Sequence, residues 1–164
     1  MSELDVQNAL KRSVQTEKNA MNYYQIAAKH MKDVGAIKTF ELLAREERDH
    51  AKHFFDTYSG GDIPSFDAFI NAPPENESDW LSDLEKAIAG GLNERKAMEL
   101  ALEKEKKLEE SLREMAAKIA DPKVRAVFEE NAQSTHNHYV IIESEFARLM
   151  GMVHETDIDT FVRE

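Results

Sequence analysis

Apolar residues recur along this chain with the alternating three- and four-residue spacing of helices that bury one face. Four long stretches show this pattern, and they predict helices over about residues 5–33, 36–58, 93–120 and 122–150. The stripe of the second stretch has a carboxylate, Glu47, in the middle of its apolar positions. A charged residue at that place needs a partner, and the rest of the sequence indicates what the partner is.

The connections between these helices predict how they pack. Short turns join the first helix to the second and the third to the fourth, which is typical of antiparallel hairpins. A segment rich in Gly and Pro, about residues 59–92, separates the two pairs and contains a short helix at "SDWLSDLEKAIA". The fold class is therefore predicted to be all-α, a four-helix bundle with one long crossover in a single domain, residues 1–164. Gly35 and Gly151 are expected just past the ends of the first and fourth helices.

The second hairpin repeats the first at a constant offset and without a gap. The offset aligns Glu17 with Glu105 and His50 with His138. Further identities pair Lys18, Ala28, Asp33, Phe40, Glu41 and Ala44 with Lys106, Ala116, Asp121, Phe128, Glu129 and Ala132. We infer that the hairpin is duplicated.

Composition restricts the chemistry. The chain has 164 residues, which suits one domain with its own core. Its net charge of -11 and its lack of a basic block disfavour nucleic-acid binding. With no Cys, thiolate sites are excluded, so a metal would be held by carboxylate, imidazole or carbonyl groups. The sequence starts without a secretory signal pattern and has no long apolar run, so we expect a cytoplasmic protein that does not enter the membrane.

Three helices place a Glu on their inward stripe, and burying a lone carboxylate costs several kcal/mol. His50 follows Glu47 by three residues and lies on the same helical face. Helical bundles that bind two metals use one Glu from each of two helices and a Glu-x-x-His pair from each of the other two. This sequence supplies most of that set, and the predicted metal ligands are Glu17, Glu47, His50, Glu105 and His138.

Less specific interpretations exist for the same residues. Glu47 and His50 could be a surface pair on a Glu-rich helix, and His138 could be a core imidazole that bonds to a polar neighbour. Tyr24 lies two turns after Glu17, where it could orient a ligating carboxylate or simply pack in the core. The inward phase and the repeat favour the metal interpretation.

These residues stand in motifs that resemble those of the ferritin-like superfamily, closest to the rubrerythrin-type di-iron domains. The motifs are "EKNAMNYYQIAA", "FELLAREERDH", "EKEKKLEESLREMA" and "FEENAQSTHNH". The resemblance implies a site for two irons per chain, with Glu47 bridging them. It also implies redox chemistry, namely ferrous iron oxidation by peroxide or dioxygen with peroxide reduced to water, and a homodimer. No catalytic residue is expected beyond the ligands, and manganese or zinc could occupy the same groups.

Two departures from the family pattern matter. Rubrerythrins proper carry a Cys-ligated rubredoxin-like module, which a chain without Cys cannot build, so a separate electron donor would be needed. Thr135 stands where the family has a carboxylate able to bridge the metals, which leaves three negative charges for two divalent ions. The second ion should therefore bind less well. Glu109 is expected to face solvent, but it is the first substitute ligand if a carboxylate is recruited to replace the missing one.

An alternative function follows from the same departure. The bundle could be degenerate, with one structural metal or none, and act through contacts with partner proteins. The Trp80 region and the Pro73-Pro74 crossover are the expected contacts for self-association.

Overall fold

The computed structural model of the chain describes the backbone of residues 1–162 and the side chains of residues 1–151. Within these residues the chain forms helices and no strands, so the predicted all-α class is confirmed. None of the described helices has the length and apolar character needed to cross a bilayer. In chain order the helices are α1 (Glu3–Ala28), α2 (Val34–Thr57), α3 (Phe66–Ile70), α4 (Asp79–Ala89), α5 (Glu94–Lys118) and α6 (Pro122–Val162).

The four long helices form two hairpins. Helix α1 packs along α2, and α5 packs along α6. Helices α2 and α6 bring the two hairpins into contact, while α4 lies against both α1 and α5. The predicted four-helix bundle with two hairpins and one crossover is therefore confirmed. The bundle interior collects side chains from all four long helices.

The apolar core lies on both sides of the polar stretch of α2. Phe40 and Phe54 are each fully buried, about two helical turns before and after Glu47. Phe54 contacts Phe128 of α6 with ring centroids 5.0 Å apart, so the aromatic packing links the two hairpins. Burying one such side chain contributes about 1.5–3 kcal/mol. The buried phenylalanines on either side fix the position of α2 in the bundle, and the polar residues of α2 therefore lie between them.

The first helix is shorter than predicted. It ends at Ala28 and not at residue 33, because Asp33 caps the next helix. The Asp33 carboxylate accepts a hydrogen bond from the Ala36 amide at 2.9 Å. Gly35 therefore lies in the first turn of α2 with a negative φ, and the expectation that it closes α1 is wrong.

The last helix is longer than predicted. Helix α6 was expected to end at residue 150 beside Gly151, but its backbone continues through this position to Val162. A glycine inside a helix costs only about 1 kcal/mol relative to alanine. Gly151 does not adopt a positive φ, and no Gly or Pro follows it in the sequence, so nothing local ends the helix there.

The crossover carries the predicted short helix, α4, and also a single-turn helix, α3, that the sequence pattern did not predict. Trp80 of α4 is only 5% exposed, and it packs edge-on against Tyr23 with ring centroids 5.3 Å apart. Its ring is therefore covered inside the chain, and self-association through the Trp80 region and the Pro73-Pro74 crossover stays a prediction. Lys104 of α5 pairs with Asp83 of α4, which holds the crossover against the α5 side of the bundle.

Candidate metal centre

All five predicted ligands converge in the bundle interior. Glu17 comes from α1, Glu47 and His50 from α2, Glu105 from α5 and His138 from α6. The three carboxylates and His138 are fully buried, and His50 is 7% exposed. Their inward phase is therefore as expected, whereas their role as ligands stays a prediction.

His138 joins the two hairpins through its inner nitrogen. Its Nδ1 lies 2.8 Å from Glu47 Oε1 and 3.7 Å from Glu105 Oε1. On the outer side, its Nε2 lies 2.9 Å from Glu46 Oε1. The imidazole is thus held between carboxylates at both nitrogens, which is not the surroundings of an ordinary apolar core.

His50 occupies the equivalent place on the other side of Glu47. Its Nδ1 lies 3.5 Å from both Glu17 Oε2 and Glu47 Oε2, which is longer than a well-formed hydrogen bond. Its Nε2 lies 2.7 Å from the Ser134 hydroxyl. The two imidazoles stack with centroids 5.0 Å apart and planes 9° apart. Glu47 therefore reaches both histidines, one with each carboxylate oxygen.

The hydrogen bonds inside this cluster are incomplete. Among the described side chains, the buried nitrogen and oxygen atoms that lack a hydrogen-bond partner all belong to it. They are both oxygens of Glu17, Oε2 of Glu47, Nδ1 of His50 and Oε2 of Glu105. Buried polar atoms are normally satisfied, and leaving one unsatisfied costs about 1–3 kcal/mol. Five such atoms in one place fit a cation, since all of them can donate an electron pair to it.

The spacing of these atoms also fits a metal. Three possible ligand atoms, one each from Glu47, His50 and His138, lie within 4.8 Å of one another. Carboxylate oxygen and imidazole nitrogen together suit iron, manganese and zinc. The residues present are therefore compatible with the metal that the sequence motifs imply.

The pKa values of the carboxyl groups diverge. Burial raises the pKa of Glu105 to about 7, and burial together with the Glu47 charge raises that of Glu17 well above its usual value. Burial would also raise the pKa of Glu47, but the Glu17 carboxyl and the two imidazoles lower it well below its usual value. Glu47 is thus the carboxylate that stays ionised at the centre of the cluster.

The pKa values of both imidazoles are raised. Burial opposes the charged form, but the Glu47 and Glu17 carboxylates outweigh it and raise the pKa of His50 to about 10. Glu105 and Glu47 act in the same way on His138 and raise its pKa to about 11. Without a metal, both imidazoles are therefore cationic at neutral pH.

The two residues predicted beside the ligands have different surroundings. The Tyr24 hydroxyl donates to Glu105 Oε1 at 2.7 Å, so it contacts a candidate ligand as expected. Thr135 is fully buried, and its hydroxyl donates to the Asn131 carbonyl at 2.7 Å.

The sequence pattern missed two residues and misplaced a third. Glu46 and Ser134 each contact the outer nitrogen of a histidine, although both lie one position before the inward stripe and resemble surface residues. The expected substitute, Glu109, instead pairs with Arg113 and His136 outside the cluster, so that expectation is wrong. The sequence feature that could have identified Glu46 and Ser134 is the repeat. It aligns these two residues with each other, one position before the aligned pair Glu47 and Thr135.

A cavity of about 200 Å³ reaches the Glu17 side of the cluster between α1 and α5. Hydroxyl groups of Ser13, Thr16 and Ser111 line it together with Arg12. Its size suits water, dioxygen or hydrogen peroxide rather than a large substrate. The cavity ends beside Glu17, whose side chain is fully buried.

Comparison with known proteins gives one result. The family model described as Rubrerythrin matches residues 8–146, which include all five candidate ligands. The comparison with curated proteins gave no match, and neither did the comparison with solved structures.

Proposed function

The chain belongs to the rubrerythrin family, and from this premise we propose that it is a non-haem di-iron protein that reduces peroxide while oxidising ferrous iron. The observation that supports the proposal most strongly is the set of unpartnered buried atoms on Glu17, Glu47, His50 and Glu105. Such atoms are costly in a protein interior unless a cation binds them.

We assign the ligands by their positions around Glu47. Glu17 and His50 lie on one side of this carboxylate and would hold one ion, whereas Glu105 and His138 lie on the other side and would hold the second. Glu47 would bridge, because each of its oxygens faces a different histidine. Both histidines would bind through Nδ1, the nitrogen that faces the carboxylates.

The residues of the chain prepare this interior in two ways. His50 and His138 must lose their protons before Nδ1 can ligate, so metal binding should release protons to solvent. Phe40, Phe54 and Phe128 are buried in the same bundle and would limit the access of bulk water to the charged groups. The chemistry that two irons supply when bound is one-electron redox at each, which matches the two electrons needed to reduce one peroxide to two waters.

The source of the reducing electrons would be a separate protein. The sequence contains no Cys, so the chain cannot build a thiolate-ligated electron-transfer module. Dioxygen is an alternative oxidant for the same reduced centre. Self-association as a homodimer also stays a prediction, which light scattering of the purified protein can test.

A second function is favoured by one observation, the buried Thr135 in place of a fourth carboxylate. Three carboxylates balance only part of the charge of two divalent ions, so the site could hold one structural metal and no redox pair. In that case the bundle would act through partner contacts. The two functions differ in the number of ions bound and in their reaction with peroxide.

Metal content and reactivity test the proposal directly. Protein purified without affinity metals is analysed for bound elements, then loaded anaerobically with ferrous iron and mixed with hydrogen peroxide in a stopped-flow spectrometer. We expect about two irons per chain and oxidation of both by peroxide. Glu47→Gln is the inactive comparison, because it removes the central charge and keeps the shape. One bound ion that does not react would support the structural alternative instead.

A further inference from the structure

The outer nitrogens of the two histidines have unequal partners. His138 Nε2 lies 2.9 Å from a carboxylate oxygen of Glu46, and His50 Nε2 lies 2.7 Å from the hydroxyl of Ser134. The repeat aligns Glu46 with Ser134 and His50 with His138, so these are the same position in the two hairpins. One hairpin contributes a negative charge there, and the other contributes a neutral group.

This difference affects how strongly each imidazole can bind a cation. A carboxylate that accepts a hydrogen bond from the outer nitrogen increases the electron density on the ring. The inner nitrogen then donates its electron pair to a metal more strongly. A hydroxyl does this much less, because it carries no net charge. Hydrogen bonds in which one partner is ionised are roughly twice as strong as neutral ones.

We propose that Glu46 is a positioning residue that acts through His138 and partly compensates for the carboxylate that Thr135 does not supply. The inference rests on the proposed function, since it concerns the two ions assigned above. It follows that the two ion positions are unequal. The ion beside Glu105 and His138 binds more tightly than the ion beside Glu17 and His50.

Two effects reduce the difference in affinity between the two ion positions. The Tyr24 hydroxyl donates to Glu105 and withdraws some charge from that ligand, but it adds no net charge to the site. The Glu46 side chain is 39% exposed, so water screens part of its charge. Loss of such an outer partner usually lowers metal affinity about 10- to 100-fold, and partial exposure places Glu46 near the lower limit of that range.

The test compares Glu46→Gln with the unchanged protein in anaerobic titrations with ferrous iron. We expect two separate binding steps in the unchanged protein and, in the variant, a tighter step weakened about tenfold, so that the two steps come closer together. Mössbauer spectra of the ⁵⁷Fe(II)-loaded proteins provide a second measurement. Two distinct ferrous signals in the unchanged protein should become more alike in the variant, which a purely structural role of Glu46 would not produce.

Glu41→Gln is the matched control, because it removes the same charge from an exposed position of α2, the helix that also carries Glu46. An equal effect of both variants would overturn the proposal, since it would show a general charge effect. Unchanged binding steps and unchanged spectra in Glu46→Gln would also overturn it, while the di-iron function would remain. Failure of the unchanged protein to bind two ions would instead refute the proposed function. Circular dichroism of both metal-free variants verifies that they fold.

Discussion

The change Thr135→Glu restores a carboxylate at the fourth ligand position and tests whether charge limits the metal centre. Thr135 is fully buried, and it lies one helical turn before His138 on the same face of α6. The new side chain would enter an interior that already holds three carboxyl groups. We expect opposite effects on the protein without metal and on the protein with metal.

Without metal, the substitution should destabilise the fold. The cationic His50 and His138 already pair with the carboxylates of Glu47 and Glu46. A further carboxylate therefore has no unpaired cation nearby. Keeping a glutamate protonated at pH 7, against its usual pKa of about 4.3, costs about 4 kcal/mol. Loss of the Thr135 hydrogen bond to the Asn131 carbonyl adds about 1 kcal/mol. The free energy of unfolding should therefore fall by about 3–5 kcal/mol.

With metal, the same carboxylate should strengthen binding of the second ion. Two unit charges about 4 Å apart attract by about 4 kcal/mol at an effective dielectric constant of about 20, and desolvation of the carboxylate offsets much of this gain. A net gain of about 1.4–2.8 kcal/mol corresponds to a ten- to hundredfold increase in affinity.

Urea unfolding of the metal-free protein and anaerobic ferrous titration measure the two effects. Thr135→Gln is the matched control, because the Gln side chain has nearly the same size and shape as that of Glu and carries no charge. If the Glu and Gln variants unfold at the same urea concentration and bind iron alike, charge does not limit this site and the reasoning is refuted.

Three further predictions concern the same interior. Tyr24→Phe removes the hydrogen bond to Glu105 and should lower the free energy of unfolding of the metal-free protein by about 1–2 kcal/mol, which urea unfolding measures; equal stability would contradict a role for this bond. Since burial raises the pKa of Glu105 to about 7, and the carboxylates raise that of His138 to about 11 despite burial, both groups bind more protons in the folded state. Stability without metal should therefore fall as the pH rises from about 5 to about 9, and a rising melting temperature over that window would show the sign to be wrong. Ser111→Leu should obstruct the cavity beside Glu17 and slow peroxide oxidation several-fold with no change in iron content, whereas an unchanged rate would indicate another access route.

The sequence predicted the long helices and their buried faces because both depend on a single period. Once Phe40 and Phe54 fix the inward phase of α2, Glu47 and His50 must point inward as well. The duplicated pattern extends the argument to the second hairpin and places His138 in the same interior. The burial of these residues was therefore predictable from spacing alone.

Other features depend on energies or contacts that spacing does not contain. The end of α1 depends on whether Asp33 continues one helix or caps the next, and Gly151 costs too little to end α6. Glu46 lies one residue off the inward stripe of its own helix, so its contact with His138 depends on how α2 and α6 lie side by side. Identifying it requires the relative placement of two helices distant in the sequence.

The duplicated hairpin has an evolutionary consequence. A single hairpin that assembled with an identical copy would show the same residue twice at every equivalent position, so a mutation at the central carboxylate would remove it from both halves. Joining the copies into one chain removes that constraint, because each half can then change alone. The pairs Glu47 with Thr135 and Glu46 with Ser134 are differences of this kind, which two identical copies could not carry.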